Sequence, residues 1–145
     1  MRFLRRLRIT WSDFSQGVRA ALGGPPISTE PLTRFLTSRS HRSPLKRRVK
    51  YQAFLPAPSS NVTSVFRIAG LSERMIWKTG DTYISSRTLH GRADVAVQQV
   101  VDVGLQVVPD NTPRRHANIT GWPTEKSKKM SLAQELAAAA SLVLQ

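Results

Sequence analysis

Apolar side chains occur along most of this chain in short alternating runs bounded by proline, glycine or asparagine. Such runs are typical of short β-strands, because successive side chains of a strand point to opposite faces. The pattern predicts strands at residues 51–55, 64–68, 82–85, 105–108 and 116–120. The segments between them carry the residues that form turns.

Two internal segments favour helices instead. Ser72 is placed to cap a helix that we expect to end before Gly80, at a strong turn signal. Residues 94–104 fit either a strand or a helical face. Gly104 stands where a residue ending a helix would, which favours a short helix over this segment.

The C-terminal segment gives the clearest helix signal. Ser131 and Gln134 match a capping box, and apolar residues then recur at helical spacing. Three cations, Lys126, Lys128 and Lys129, precede this predicted start. A helix dipole disfavours positive charge there, so we expect these lysines to serve a phosphate chain or an acidic partner. Together these elements predict an α+β fold, a small mixed sheet with short helices and a C-terminal helix.

The N-terminal part has a different pattern. Residues 1–22 can form an amphipathic helix, which the two glycines and two prolines of residues 23–26 must end. Residues 27–36 predict another short turn or helix. Residues 38–50 are almost purely basic and polar, and by themselves have too little apolar surface to offset the entropy of ordering.

Net charge divides the chain at Lys50. The 145 residues carry a formal charge of +13. Residues 1–50 hold 12 basic and two acidic side chains, a net +10, whereas residues 51–145 hold 10 and seven, a net +3. We therefore predict a basic, partly helical arm over residues 1–50 and a compact domain over residues 51–145.

Such a charge asymmetry indicates a polyanionic partner, and arginine binds phosphate through its planar fork. A solvated tail, a mitochondrial presequence or a helix on an anionic membrane are alternatives for this arm. Nucleic acid, DNA or RNA, is the favoured partner. The predicted contact residues are Arg39, Arg42, Lys46, Arg47, Arg48 and Lys50, with Lys126, Lys128 and Lys129.

Two histidines offer an alternative chemistry. His90 and His116, each with arginines nearby, could form the general acid and base of a small nuclease or toxin. Nothing in the sequence places them together. Hydrogen bonding of His116 to the loop before it is the structural alternative.

Several classes of site are disfavoured by composition. The chain has no cysteine, which excludes disulfides and thiolate metal sites. It has no glycine-rich phosphate loop and no apolar stretch long enough to span a membrane. We therefore expect no cofactor and no resident metal.

Residues 115–123 (RHANITGWP), followed by an alanine-rich terminal helix, carry a resemblance, as do residues 64–68 with the Gly70-Leu71 and Ile76-Trp77 pairs after them. The chain resembles small uncharacterised bacterial proteins associated with anti-phage defence neighbourhoods. The resemblance covers about residues 51–145. It implies a cytoplasmic protein that works beside a larger protein subunit, and it supplies no catalytic residue.

Taken together, the sequence predicts a non-catalytic nucleic-acid-binding accessory subunit that contacts the phosphate backbone. Two alternatives stay open, the nuclease or toxin that uses His90 and His116, and an adaptor whose arm meets an acidic protein. The adaptor predicts that the isolated chain has no affinity for nucleic acid.

Overall fold

The computed structural model describes residues 23–145, so the helix predicted for residues 1–22 lies outside the described part. The elements along the chain are β1 (Pro31–Phe35), β2 (Arg42–Ser43), β3 (Arg48–Val49), β4 (Thr63–Arg67), α1 (Glu73–Tyr83), β5 (Arg92–Ala96), α2 (Val97–Asp102), β6 (Gln106–Pro109), β7 (His116–Thr120), α3 (Lys126–Ala139) and β8 (Ser141–Val143). Single 3-10 turns lie at Arg39–His41 and Tyr51–Ala53.

Six of the described strands form one antiparallel sheet in the order β6-β7-β4-β1-β5-β8, and β2 and β3 form a separate hairpin. β1 is an interior strand. Its Thr33 stands opposite Phe66 of β4 on one side and Asp94 of β5 on the other. The first strand of the described chain therefore has neighbouring strands on both sides.

Strand alternation divides the core between the two faces of the sheet. Val65 belongs to a large cluster that also holds Leu136 of α3, whereas its neighbour Phe66 belongs to a small cluster with Trp77 of α1. Helix α2 joins the large cluster through Val100. Helices thus cover both faces of the sheet, and the α+β fold class predicted from the sequence is confirmed.

The prediction of a short turn or helix over residues 27–36 holds only for residues 27–30, where the Glu30 N–H bonds to the Ile27 carbonyl at 3.0 Å, and is wrong for residues 31–36, which contain β1. Leu32 and Leu36 lie in the large cluster and Phe35 in the small one. A strand buried on both faces carries apolar residues on both, so the period of two is hidden and the spacing resembles that of a helix. Strand β1 lies inside the sheet that the later strands form, so residues before Lys50 belong to the same sheet as residues after it.

The strands predicted at residues 51–55 and 82–85 are also wrong. Residues 51–53 form a 3-10 turn whose Ala53 and the following Phe54 are buried. Residues 82–85 contain the end of α1, which continues through Gly80. A Cβ added to Gly80 would lie 2.7 Å from a ring carbon of Phe35, so this glycine allows close packing and does not form a turn.

The predicted strands at residues 64–68, 105–108 and 116–120 correspond to β4, β6 and β7. The cap at Ser72 is confirmed as well, since its hydroxyl accepts a hydrogen bond from the Met75 N–H at 3.3 Å. Residues 94–104 contain both alternatives in succession, the end of β5 and then α2.

The C-terminal helix is present but begins earlier than its sequence signal. Helix α3 begins at Lys126 after Glu125, so Ser131 and Gln134 are interior helical residues and the predicted capping box is wrong. The three lysines thus lie in the first turn of the helix and not before it. The last residues leave the helix to form β8, which pairs with β5 at one edge of the sheet.

A buried ion pair joins the start of β1 to the end of β4. The Arg67 guanidinium donates from Nε and Nη2 to the two carboxylate oxygens of Glu30 at 2.5 and 2.7 Å, and from Nη1 to the Gly24 carbonyl at 2.8 Å. Both side chains are fully buried. Each charge therefore depends on the other for the interactions that water would otherwise supply.

We expect Glu30→Gln to lower the free energy of unfolding by about 3 kcal/mol or more, because it leaves a buried guanidinium without its counter-charge. The double variant Glu30→Leu/Arg67→Met should recover much of this loss. Urea unfolding at neutral pH measures both. Glu125→Gln is the matched control, since it removes an exposed pair with Lys128 worth less than about 1 kcal/mol. Equal losses in the two single variants would contradict the structural role of the buried pair.

Candidate nucleic-acid interface

Most of the basic segment that the sequence predicts to be disordered forms an ordered hairpin. Arg42 pairs with Val49 and Ser43 with Arg48, and a turn closes with a hydrogen bond from the Arg47 N–H to the Pro44 carbonyl at 3.2 Å. Val49 is buried in the large cluster. The prediction failed because one apolar side chain and the backbone pairing order a segment that is otherwise polar. We call residues 42–50 the basic hairpin.

Buried and exposed side chains alternate along β3 and the residue after it, so the cations of this segment point away from the core. Arg48 and Lys50 flank the buried Val49, so both side chains leave the opposite face of the strand. Lys46 and Arg47 are exposed in the turn. Of the six contact residues predicted in this segment, Arg42 is half-buried, and the exposed ones are Arg39, Lys46, Arg47, Arg48 and Lys50.

A cleft of about 680 Å³ lies between the basic hairpin and the C-terminal half of α3. Its lining residues are Arg47, Arg48, Val49, Lys50, Tyr51, Gln52, Gln134, Ala137, Ala138 and Ala140. Three of the predicted contact residues therefore line one concave surface, together with Gln134 and three alanines from the end of α3. The sequence did not predict this cleft, because it depends on how α3 packs against the turn after β3.

The other predicted contact residues, Lys126, Lys128 and Lys129, lie at the opposite end of α3. Eleven residues separate Lys126 from Ala137, which corresponds to about 16 Å along the helix axis. Lys128 Nζ lies 3.5 Å from a carboxylate oxygen of Glu125, and Lys129 is half-buried. The structure thus does not bring these lysines to the cleft.

Elsewhere, carboxylates neutralise several of the basic side chains. Arg92 donates to both oxygens of Glu73 at 2.7 and 2.8 Å, contacts Asp94, and stacks over Trp77 with its Cζ 5.0 Å from the ring centre. Burial by itself lowers the pKa of Arg92, but the hydrogen bonds to the two carboxylates outweigh it and raise that pKa. The hydrogen bond with Arg92 in turn lowers the pKa of Glu73.

None of the ion pairs within residues 23–145 includes a cation of the basic hairpin. The carboxylates of Glu30, Glu73 and Asp94 instead lie against Arg67 and Arg92. The hairpin therefore differs from the rest of the described chain in presenting positive charge that these carboxylates do not compensate.

The two histidines considered for catalysis lie in different surroundings. His116 on β7 places Nδ1 2.7 Å from an oxygen of Asp110 in the preceding loop and packs edge-on against Phe66. Burial raises the pKa of Asp110, but hydrogen bonds, first of all with His116, outweigh it and lower that pKa. His90 lies just before β5, and its N–H bonds to the Leu36 carbonyl. Strands β4 and β1 lie between β7 and β5, so the two histidines do not form one site.

His90 belongs instead to a group of basic side chains that the sequence analysis missed. Burial, and then the charges of Arg34, His90 and Arg87, lower the pKa of His41. Arg34 Nε donates to the Ala53 carbonyl at 2.9 Å. Its pKa is lowered by burial and then by the charge of Arg87. Only the fold could reveal this group, since its members come from three separate segments, namely β1, the turn Arg39–His41 and the loop that holds both Arg87 and His90.

Within residues 23–145, no group of three or more histidine or acidic side chains could hold a metal ion. No helix of the same residues is long and apolar enough to cross a membrane.

Comparison of the chain with protein-family models gave no match, and comparisons with curated proteins and with solved structures gave none either. The resemblance to small bacterial proteins therefore stays a prediction. Function has to be inferred from the placement of this chain's own side chains.

The lowered pKa of His41 predicts how stability depends on pH. An unfolded histidine takes up a proton near pH 6.5, but the folded protein takes it up only at lower pH. Between these values the unfolded chain binds more protons, so stability falls as the pH decreases through this window.

We expect His41→Gln to reduce this fall, measured by urea unfolding between about pH 7 and pH 5. Arg87→Gln should reduce it in part, because one neighbouring positive charge is removed. Asp110, whose pKa is also lowered, titrates at more acidic pH and does not contribute in this range. The prediction would be contradicted if the stability of His41→Gln fell as steeply as that of the wild type between about pH 7 and pH 5.

Proposed function

We propose that this protein binds nucleic acid through phosphate contacts made by the basic hairpin, without reading base sequence through them. The supporting observation is that Lys46, Arg47, Arg48 and Lys50 are exposed on an ordered hairpin and that the fold places this hairpin beside a cleft. Arginine and lysine that neutralise phosphates release condensed counterions, which supplies most of the affinity in such complexes.

The described carboxylates support this proposal by their location. An ion pair within the hairpin would have to be broken before a phosphate could bind, and none of the described pairs lies there. The hairpin is also ordered by its own backbone bonds and by Val49. Since less conformational freedom is lost on binding, a pre-ordered hairpin should bind more tightly than a mobile tail of equal charge.

A nuclease that uses His90 and His116 finds less support, because two interior strands separate the strand of one from that of the other. The protein adaptor is the remaining alternative, since an acidic protein surface would also suit the hairpin. It differs in predicting no nucleic-acid binding by the isolated chain. The role as an accessory subunit beside a larger protein belongs to the proposal as well.

The salt dependence of binding tests the proposal. If the six predicted contact residues between Arg39 and Lys50 each neutralise one phosphate, the logarithm of the association constant should fall with the logarithm of salt concentration with a slope of about −5 on duplex DNA and about −4 on single-stranded RNA. The triple variant Arg47→Gln/Arg48→Gln/Lys50→Gln should reduce these slopes to about −3 and about −2, because three counterion-releasing contacts are lost. Fluorescence anisotropy of the full chain with labelled duplex DNA and single-stranded RNA measures it.

The matched control is Arg74→Gln/Lys78→Gln/Arg114→Gln, which removes the same charge from exposed positions outside the cleft. It should leave the slope close to that of the wild type. A third variant, Lys126→Gln/Lys128→Gln/Lys129→Gln, measures whether the start of α3 adds contacts. Equal effects of the hairpin and control variants would show that only net charge matters, and a slope near zero in the wild type would contradict phosphate binding altogether.

A further inference from the structure

The lining of the cleft beside the basic hairpin includes an aromatic and an amide side chain from the turn that follows the hairpin. Tyr51 and Gln52 follow the hairpin directly and line the cleft together with Lys50. Tyr51 is half-buried and packs against the large apolar cluster. Gln52 is half-buried as well. Both come from the 3-10 turn Tyr51–Ala53, which the buried Ala53 and the adjacent Phe54 hold in place.

The side-chain amide of Gln52 is incompletely satisfied. Its Oε1 atom is buried and has no hydrogen-bond partner within residues 23–145. Buried polar atoms in proteins are nearly always paired, because an unpaired one loses its bonds to water without replacement. Because the Oε1 atom has almost no accessible surface, a ligand in the cleft reaches it only when the Gln52 side chain rotates toward the cleft. Such a rotation would give the amide the hydrogen bonds that it lacks in its present position.

The remaining lining of the cleft defines the chemistry of that ligand. Ala137, Ala138 and Ala140 give the helix side of the cleft small apolar side chains beside the polar Gln134, whereas Arg47, Arg48 and Lys50 supply positive charge. A nucleotide has matching parts, namely a flat base with an apolar face, a base edge with donors and acceptors, and an anionic phosphate. The volume of about 680 Å³ lies within the range of small-molecule sites and admits one base with its sugar.

We infer that the cleft takes an unpaired base of a single-stranded nucleic acid. In this arrangement the Gln52 amide bonds to the edge of the base, and the cations of the basic hairpin contact the flanking phosphates. Tyr51 is the aromatic residue of the cleft lining, and the base stacks on its ring. This inference rests on the proposed function and adds a ligand class, because bases within a duplex are stacked and paired and cannot enter the cleft.

The variant Gln52→Met tests the inference, because methionine has a similar length but no amide. We expect it to weaken binding of a single-stranded RNA of about 12 nucleotides by about tenfold, the effect of losing one good base contact. Binding of a duplex of the same sequence should change by less than about twofold, as should the salt slope. The matched control is Gln106→Met, on the edge strand β6 and outside the cleft.

A second variant, Tyr51→Leu, keeps an apolar side chain against the cluster and removes the ring. It should also weaken single-strand binding selectively, by about five- to tenfold. Thermal unfolding checks that both variants are folded. Because Gln52→Met removes an unpaired buried atom, its melting temperature should equal or exceed that of the wild type.

Equal weakening of single-strand and duplex binding by Gln52→Met would overturn the inference, since Gln52 would then act only through the hairpin. No weakening of either would overturn it as well. These outcomes are distinct from failure of the proposed function, in which the charge-removing hairpin variant would alter neither binding nor salt slope. A selective loss of single-strand binding in both cleft variants would support a base-binding cleft.

Discussion

The buried pair between Glu30 and Arg67 is the constraint on which the described structure most depends. It links the residue before β1 to the last residue of β4, and its geometry uses both carboxylate oxygens. The Glu30 carbonyl also accepts the Val97 N–H, so the same residue ties the start of α2 to the sheet. A charge pair of this kind stabilises little relative to apolar packing, but only one register of β1 satisfies it. We infer that it specifies where β1 lies.

The position of β1 in turn determines where the positive charge is displayed. The chain leaves β1 at Leu36 and returns to the core at Val49 and Phe54, all three of which are buried in the large cluster. Thr63 fixes the end of this excursion by donating its hydroxyl to the Phe54 carbonyl at 2.7 Å. The basic hairpin is thus held at both ends. Three of its cations, Arg47, Arg48 and Lys50, line the cleft that forms where the turn after the hairpin packs on α3.

The α+β fold class could be predicted from the sequence, but the strand β1 and its position inside the sheet could not. Strands with one face in the core alternate visibly, as β7 does, whereas β1 carries apolar residues on both faces, a spacing that also fits a short turn or helix. Charge composition indicated residues 38–50 as a contact segment. It could not show that Val49 orders them, nor that Gln52 lies beside them with an unpaired oxygen, because both depend on contacts with α3.

Arginine residues have two roles in this protein, in folding and in the proposed ligand binding. Whether an arginine is buried against a carboxylate determines which role it has. Arg67 and Arg92 are buried and bound to acidic side chains, so their charge contributes to folding and is not available to a ligand. Arg47 and Arg48 are exposed beside a cleft, with no carboxylate of residues 23–145 paired to them. The formal charge of +13 on the whole chain therefore does not show which cations are available to bind a ligand. The local excess on the basic hairpin is what a phosphate chain would meet, and the adjoining amide of Gln52 is what would distinguish a single strand from a duplex.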